Sequence, residues 1–327
     1  MKEAYLYEQL ESGEVKCHLC RHRCRIGSGK KGICRVRVNK EGTLYTLVYD
    51  RVISSNVDPI EKKPLFHVAP GSRSFSIATV GCNFRCTFCQ NYAISQMPRD
   101  KGRIVGENLS PAQIVAMAVQ NNCRSIAYTY TEPTIFYELA RDTMVEARKA
   151  ELLNVFVTNG YMTREMLEDA KDLIDAANVD LKAFNDRFYT HYVKARRKGV
   201  IDSLRSMKEL GIWLELTTLL IPTLNDDPAE VREMARFICA ELGPATPWHV
   251  SRFFPQYKEV KLPPTDVETI RNVRQMGLDE GLYYVYMGNM PWEEGEETHC
   301  PGCSDVLIKR GGYSTPVSTI EGGLCAN

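Results

Sequence analysis

Three cysteines, Cys82, Cys86 and Cys89, lie within eight residues in the run VGCNFRCTFCQN. Four-iron clusters are usually bound by four cysteine thiolates. Three thiolates would leave one iron with an open coordination site, which a ligand with its own donor atoms can occupy. The alternative is a zinc knuckle, but it needs a fourth ligand nearby, and neither Gln90 nor Asn91 is a good one. The spacing C-x3-C-x2-C therefore predicts a four-iron cluster with one open iron.

Two further groups of cysteines lie near the ends of the chain. The N-terminal group is Cys17, Cys20, Cys24 and Cys34, and the C-terminal group is Cys300, Cys303 and Cys325. In a reducing cytosol, C-x2-C spacings indicate metal sites more often than disulfides. Zinc and an auxiliary iron–sulfur cluster both fit the N-terminal group, and the spacing does not choose between them. The C-terminal group offers only three thiols, which predicts an incomplete zinc site that is weak or empty.

Short β-rich runs alternate with helical runs from about residue 75 onward. Candidate strands span residues 74–80, 125–131, 154–159, 178–184, 214–221 and 248–253, and a seventh candidate spans 282–287. Ser110-Pro111 and Asp227-Pro228 each place an N-cap residue before a proline at the first helical position, which marks the start of a helix. Consecutive strand–helix repeats predict a parallel sheet with right-handed crossovers.

Polar residues follow these strands at a spacing of two, which puts each set on one strand face. The sets are Tyr128, Tyr130 and Glu132; Asp180 and Lys182; Glu215 and Thr217; and His249 and Ser251. Helices cover both faces of a flat parallel sheet, so charges there would be buried at a cost of several kcal/mol. We therefore predict an α/β fold of the partial (β/α)6 TIM-like barrel type, with its active site at the carboxyl ends of the strands. The alternative for Asp180 and Lys182 is that they only pair with each other.

The strand–helix pattern divides the chain into three parts. These are a cysteine-rich N-terminal extension at 1–70, the partial barrel at 71–290 and a C-terminal extension at 291–327. The charges of the 41 basic and 41 acidic residues cancel, and neither sign forms a long run, so the sequence does not indicate binding to nucleic acid. The N-terminus is charged and no stretch of about 18 apolar residues occurs, which predicts a cytoplasmic protein without a membrane segment.

The cysteine run after the first strand resembles the signature of the radical S-adenosylmethionine (SAM) superfamily, including an aromatic residue, Phe88, before the last cysteine. The resemblance implies a [4Fe–4S] cluster on Cys82, Cys86 and Cys89, with SAM bound at the open iron through its amine and carboxylate. Reductive cleavage would give a 5′-deoxyadenosyl radical that abstracts hydrogen from a substrate. An electron donor of the flavodoxin or ferredoxin type is implied as a partner.

The same resemblance assigns several residues to cofactor binding. They are Phe88, Glu132, Thr158, Asn159, Asp180, Lys182, Thr218 and His249. The run Tyr130-Thr-Glu132-Pro resembles the Gly-Gly-Glu-Pro run of many radical SAM enzymes and retains its glutamate. The resemblance therefore implies Glu132 as the contact to the SAM amine. Thr158-Asn-Gly and Asp180-Leu-Lys resemble runs of glycyl-radical-enzyme activases, and Lys182 is implied near the SAM carboxylate. Tyr128, Ser251 and Arg252 are hypotheses for the cavity lining.

A closer resemblance extends over residues 1–310. The runs CHLCRHRC, GICRVR, VDPIEKKPL, TTLLIPTLND and PWHVSRFFPQYK are similar to the radical SAM enzyme of the AmmeMemoRadiSam system. This resemblance implies Memo-type and AMMECR-type proteins as partners, and it indicates no substrate. Two other functions stay open. One is activation of a glycyl radical enzyme, although Gln90-Asn-Tyr stands where many activases have His-Asn-Pro. The other is a non-catalytic iron–sulfur or zinc interaction module.

Overall fold

The computed structural model describes residues 1–290, 295–321 and 324–326. An eight-stranded sheet organises the chain, and its strands follow one another in space in their sequence order. The strands are β1 (Ser54–Pro59), β2 (Arg73–Ala78), β3 (Ser125–Tyr128), β4 (Leu153–Thr158), β5 (Ala176–Asp180), β6 (Trp213–Leu220), β7 (Trp248–Arg252) and β8 (Val285–Gly288). All neighbouring pairs are parallel except β1 with β2. The sheet is not closed, since β1 and β8 form its two edges.

Six helices connect the successive parallel strands. They are α1 (Pro111–Gln120), α2 (Tyr137–Lys149), α3 (Arg164–Ala170), α4 (Arg197–Glu209), α5 (Pro228–Phe237) and α6 (Val267–Asp279). The predicted N-caps are present: Ser110 accepts a hydrogen bond from the backbone N–H of Gln113, and Asp227 accepts from the first turn of α5. The prediction of a partial barrel with strand–helix repeats is confirmed. The seventh candidate strand corresponds to β8, whereas the antiparallel β1 was not predicted.

Shorter helical segments lie in the loops. These are the α-helical turns Tyr92–Ser95, Met97–Asp100 and Asp186–Phe188, the 3-10 helices Ile60–Lys62 and Pro133–Phe136, and the π-helical turns Tyr189–Val193 and Ile238–Leu242. None of the helices in the described part of the chain is long and apolar enough to cross a membrane.

Alternation along the strands gives the curled sheet a polar inner face. On β5 and β6, the Thr217 hydroxyl donates to Asn178 Oδ1 at 2.8 Å across the inner face. Leu214, Leu216 and Leu220 occupy the alternate positions of β6 and are buried in the hydrophobic core. The polar residues at a spacing of two on β5 and β6 therefore face the interior of the barrel as predicted.

The segment Ile60–His67, here called the inner segment, fills the end of the barrel where the strands begin. Glu215 accepts hydrogen bonds from the backbone N–H groups of Phe66 and His67 at 2.9 and 2.8 Å. The apolar side chains of the inner segment, Ile60 and Leu65, form a small core with residues of three neighbouring strands. These are Ala127 of β3, Val155 of β4 and Ala176 of β5. The last part of the predicted N-terminal extension thus contributes both a strand and a core segment to the barrel.

The rest of the N-terminal extension forms small antiparallel sheets that pack on the outside of the barrel. Its strands are Lys2–Glu3, Tyr7–Gln9, Val15–Cys17, Arg25–Ile26, Arg37–Lys40, Thr43–Thr46 and Arg51–Val52, the last of which pairs with Glu107–Asn108. A buried ion pair fixes the extension to α2, since Arg37 Nη2 lies 2.7 Å from Glu138 Oε1. The extension is therefore joined to the barrel surface by a buried contact.

The C-terminal extension also consists of antiparallel strands. They are Thr298–His299, Val306–Gly311, Ser314–Ser318, Ile320–Glu321 and Leu324–Cys325. Arg310 connects this extension to the barrel, because its guanidinium donates to the carbonyl of Phe66 at 2.7 Å and lies over the Phe66 ring. The inner segment is thus held from both sides, by Glu215 and by Arg310.

Candidate metal and cofactor site

The three cysteines of the C-x3-C-x2-C run lie in the loop that follows β2. Cys82 and Cys86 are buried, and Cys89 is partly buried. The sulfur of Cys82 accepts the backbone N–H of Phe84 at 3.3 Å, and the sulfur of Cys89 lies 3.2 Å from the Ser95 hydroxyl. Burial raises the pKa of the Cys86 thiol to about 12. Coordination to a metal lowers the pKa of a thiol, so a bound metal ion or cluster would hold Cys86 as its thiolate.

Glu132 ties the ends of β3 and β4 together beside this loop. Its side chain is fully buried and accepts hydrogen bonds from the Thr158 hydroxyl at 2.7 Å and from the backbone N–H of Asn159 at 2.8 Å. It also accepts from the backbone N–H of Thr134 at 3.1 Å. Burial raises its pKa, and these hydrogen bonds oppose the rise. Both carboxylate oxygens thus have partners within the protein, and contact with the SAM amine stays a prediction.

Asn159 extends this connection to the cysteine loop. Its side-chain amide donates to Asn83 Oδ1 at 2.7 Å and lies 3.8 Å from the sulfur of Cys82. Its side-chain oxygen accepts from the backbone N–H of Tyr161 at 3.1 Å, which fixes the orientation of the amide. Thr158 and Asn159 are thereby placed between Glu132 and the first cysteine.

Asp180 is the last residue of β5, and Lys182 lies two residues beyond it. Lys182 Nζ lies 2.8 Å from Asp180 Oδ2, so the two residues do pair. Burial lowers the pKa of Lys182, but the charges of Asp180 and Cys86 outweigh this effect and raise it overall. The ammonium also lies 5.9 Å from the ring of Phe88, which is buried against Phe188. A cation is therefore fixed next to the cysteine loop, where an anionic ligand would bind.

Thr218 and His249 lie on opposite faces of the sheet. Thr218 points towards the helices, where its hydroxyl donates to the Leu181 carbonyl and accepts from Trp248 Nε1. The proposed cofactor site is therefore built without Thr218. His249 lies on the inner face, with Nε2 2.7 Å from Glu215 Oε2.

Of the three residues predicted to line the cavity, Tyr128, Ser251 and Arg252, only one does so in the described structure. Ser251 lines the inner cavity, whereas Arg252 turns towards the Thr265 carbonyl at 2.6 Å. Tyr128 is buried on the side of the helices, where its hydroxyl donates to Asn154 Oδ1 at 3.1 Å. Tyr128 is therefore not part of the cavity lining.

A cavity of about 510 Å³ lies at the carboxyl ends of β7 and β8. It reaches Gln90, which directly follows Cys89, so it lies beside the cysteine loop. Acidic side chains of the inner segment and the C-terminal extension, Glu61 and Glu296, face it, together with Lys62. Sequence reasoning missed both acids, although Glu61 lies in the quoted run VDPIEKKPL.

Glu61 is the most unusual residue of this cavity. Its side chain is 2% exposed, and its Oε1 accepts from the backbone N–H of Gly71 at 2.7 Å. Its Oε2 is buried and has no hydrogen-bond donor within the part of the chain that the structure describes. Burial raises the pKa of Glu61, and it raises the pKa of Glu296 to about 7. A ligand with hydrogen-bond donors would satisfy the free oxygen.

The C-terminal cysteines form a compact group. The sulfurs of Cys300, Cys303 and Cys325 all lie within 4.8 Å of one another. His299, the nearest candidate for a fourth ligand in the sequence, instead directs Nδ1 to the Ser304 carbonyl at 3.1 Å. The described residues thus provide three sulfurs at spacings that suit one metal ion.

Comparisons with known proteins agree with this geometry. Residues 76–238 match the model of the Radical SAM superfamily. An uncharacterized protein of Methanocaldococcus jannaschii is 44% identical over 321 residues, which cover 98% of this chain and 95% of that protein. The pyruvate formate-lyase-activating enzyme of Clostridium pasteurianum is 22% identical over 52% of this chain and 70% of its own. A radical SAM methyltransferase from Sphaerobacter thermophilus shares the fold, with a TM-score of 0.53 at 17% identity over 69% of this chain and 70% of that one.

Proposed function

This chain belongs to the radical SAM superfamily, and we propose that it is an enzyme that cleaves SAM reductively and abstracts hydrogen from a substrate in the cavity beside the cysteine loop. When bound, a [4Fe–4S] cluster on Cys82, Cys86 and Cys89 supplies the electron for that cleavage. The observation that carries the proposal is that the loop with these three thiols, two of them buried and one partly buried, adjoins both a fixed cation, Lys182, and a cavity that reaches Gln90.

The residues around the cysteine loop are suited to hold a [4Fe–4S] cluster and SAM. Three thiols provide three of the four ligand positions of the cluster, and the amide of Asn159 lies 3.8 Å from the sulfur of Cys82 as a donor. Lys182 supplies a positive charge for the carboxylate of a bound amino acid, and Glu132 supplies a negative charge for its amine. Lys182 comes after β5 and Glu132 comes after β3. The two side chains can therefore bind the carboxylate and the amine of one amino acid.

The acidic lining of the cavity suits a substrate that carries hydrogen-bond donors. The free Oε2 of Glu61 and the half-buried carboxyl of Glu296 both favour an amine, amide or hydroxyl group over a phosphate or carboxylate. The volume of about 510 Å³ is in the range of pockets for small molecules or for a single side chain of a protein.

Formation of 5′-deoxyadenosine tests the proposal. The full chain is reconstituted with iron and sulfide without oxygen, reduced, and supplied with SAM. We expect 5′-deoxyadenosine from the unchanged chain and from Cys123→Ala, because Cys123 belongs to none of the three cysteine groups. Cys86→Ala should form none, since two thiolates do not hold a four-iron cluster firmly. Product from Cys86→Ala would overturn the proposal, and no product from any reconstituted chain would favour the non-catalytic module.

Activation of a glycyl radical enzyme is a second candidate. It is supported by the similarity to the activating enzyme of Clostridium pasteurianum and by the run Asp180-Leu-Lys182. In that case the substrate is a glycine of another protein rather than a small molecule. A glycyl radical detected by electron paramagnetic resonance in a candidate partner, formed only with SAM and this chain, would distinguish the two functions.

A reductant is required in either case, because radical SAM enzymes generally need one. We propose a flavodoxin or ferredoxin as this donor. Memo-type and AMMECR-type proteins are proposed as further partners, supported by the runs that resemble the AmmeMemoRadiSam system. Co-purification of the three proteins without oxygen, with and without SAM, tests the association, and no complex under either condition would count against it.

A further inference from the structure

The four N-terminal cysteines lie around one small cavity. We infer that Cys17, Cys20, Cys24 and Cys34 bind a second four-iron, four-sulfur cluster rather than zinc. All four line the same cavity, and all four are free thiols. The pairing of the strands Val15–Cys17 and Arg25–Ile26 brings Cys17 and Cys24 together, since the backbone N–H of Cys17 donates to the Cys24 carbonyl at 3.0 Å. The inference about the metal is independent of the reaction proposed above.

The spacing of the sulfurs separates iron–sulfur ligation from zinc. Sulfurs bound to one tetrahedral zinc ion lie about 3.8 Å apart, because each Zn–S bond measures about 2.3 Å. The C-terminal group meets this condition, with all three sulfurs within 4.8 Å and Cys303 3.7 Å from Cys325. Over the described residues, no three sulfurs of the N-terminal group all lie within 4.8 Å of one another.

A four-iron cluster requires the wider spacing. Each thiolate binds a different iron atom of the cluster, so the sulfurs stand further apart than around a single ion. We assign Cys82, Cys86 and Cys89 to a four-iron cluster. In the described structure, their three sulfurs likewise do not all lie within 4.8 Å of one another. Within the described residues, the N-terminal sulfurs and those of the cluster loop therefore both lack the close spacing of the C-terminal group.

A buried arginine supplies the second observation. Arg37 lines the same cavity and is 2% exposed. Its Nη2 donates to Glu138 Oε1 at 2.7 Å and to the Tyr5 carbonyl at 2.8 Å. Its Nε–H is buried and has no acceptor in the described parts of the chain. Metal-bound thiolates and sulfides are anionic acceptors that would satisfy this donor, whereas four neutral thiols would leave it unmatched.

The N-terminal site also adjoins the cluster loop. His22 Nε2 lies 2.9 Å from the Asn83 carbonyl, one residue after Cys82. Gly81, one residue before Cys82, has φ +105°, and a Cβ built on it would lie 3.2 Å from the Cys34 carbonyl. Four thiolates leave no iron open for a ligand, so the second cluster would pass single electrons from the donor protein to the cluster at Cys82, Cys86 and Cys89.

Metal and sulfide analysis of a full-chain variant tests this inference. The variant replaces Cys82, Cys86 and Cys89 with Ala, and also Cys300 and Cys303 with Ala, so that only the N-terminal group remains. We expect about four iron and four sulfide ions per chain after reconstitution without oxygen, as in one [4Fe–4S] cluster. The electron paramagnetic resonance spectrum of the reduced variant should not change on addition of SAM. One zinc ion per chain, or no bound metal, would overturn the inference.

Two further variants complete the test. In a chain that retains Cys82, Cys86 and Cys89, Cys20→Ala with Cys24→Ala should lower the iron content by about half, from two clusters to one. Cys123→Ala with Cys239→Ala removes the two isolated cysteines and should leave the iron content unchanged. Equal iron content in these two variants would contradict a cluster at the N-terminal group.

Discussion

At the scale of residues, the site is built from side chains whose partners lie on different strands. Glu132 follows β3 but binds Thr158, the last residue of β4, and Asn159, which comes directly after it; Asn159 in turn reaches the cysteine loop. Each of these residues was predicted individually from the resemblance of its run. Their mutual hydrogen bonds were not predicted, because sequence spacing within one strand says nothing about partners on the next.

Replacement of Glu132 by Gln should weaken SAM binding about tenfold or more. The variant loses a charge, and its amide group faces the donors of Thr158 and Asn159, which disturbs the connection to Cys82. Equilibrium binding of SAM to the reconstituted chain measures the effect, with the exposed Glu107→Gln as the control. An unchanged dissociation constant at full cluster content would show that Glu132 has only a structural role.

Glu296 should make folding stability depend on pH. Burial raises its pKa from 4.5 in the unfolded chain to about 7 in the folded protein, against the opposing charge of Arg310. The folded state therefore binds the proton more tightly, and this residue's contribution to stability is lost as pH rises from 4.5 to 7. Glu296→Gln should be more stable than the unchanged chain by about 1–3 kcal/mol at pH 8, with a smaller difference at pH 4.5.

The free energy of unfolding, measured in denaturant at both pH values, checks this expectation. Glu297→Gln, at the neighbouring position, serves as the control. An advantage of Glu296→Gln that is equal at both pH values would rule out the titration of Glu296 as its cause.

At the scale of elements, the strand alternation that guided the prediction holds inside strands and fails at their ends. Tyr128, Tyr130 and Glu132 were expected on one face. However, β3 ends at Tyr128, and Tyr130 has φ +62°, in the left-handed region where the alternation of side chains is lost. Helix starts were predicted better, because the Ser110 and Asp227 caps are local signals.

The inner segment is the element that sequence analysis did not find. Residues 60–67 show neither helical nor strand periodicity, and they are held by tertiary contacts to Glu215 and Arg310. Leu65→Ala should lower the free energy of unfolding of the whole barrel by about 2–5 kcal/mol, because Leu65 is fully buried among the strands. Val57→Ala on the exposed side of β1 is the control and should have little effect. Equal stability of the two variants would mean that the segment is separable from the barrel.

At the scale of the whole molecule, three cysteine groups surround one half-open barrel. The strand–helix pattern predicted the barrel, since that pattern is repeated and local. The three groups were also visible in the sequence, but the short distances between sulfurs that set the C-terminal group apart were not. Those distances arise from how the extensions pack on the barrel, which no spacing in the sequence encodes.

The C-terminal group should hold zinc weakly. Its three sulfurs lie within 4.8 Å of one another, and a structural zinc site needs four ligands. Dialysis of the full chain against a chelator should remove zinc without loss of iron. Cys300→Ala is the matched variant and should bind no zinc at this site. Zinc that stays at one ion per chain after dialysis, and is absent from Cys300→Ala, would show that the site has a fourth ligand.

The central claim is that the cluster at Cys82, Cys86 and Cys89 binds SAM through an open iron. The electron paramagnetic resonance spectrum of the reduced, fully reconstituted chain tests it most directly, recorded with and without SAM. We expect SAM to change the spectrum of the unchanged chain, because a cluster with three protein ligands has a free iron position, and to leave that of Cys86→Ala unaltered, because two thiolates do not hold this cluster firmly. A spectrum of the unchanged chain that does not respond to SAM, at full iron and sulfide content, would contradict it.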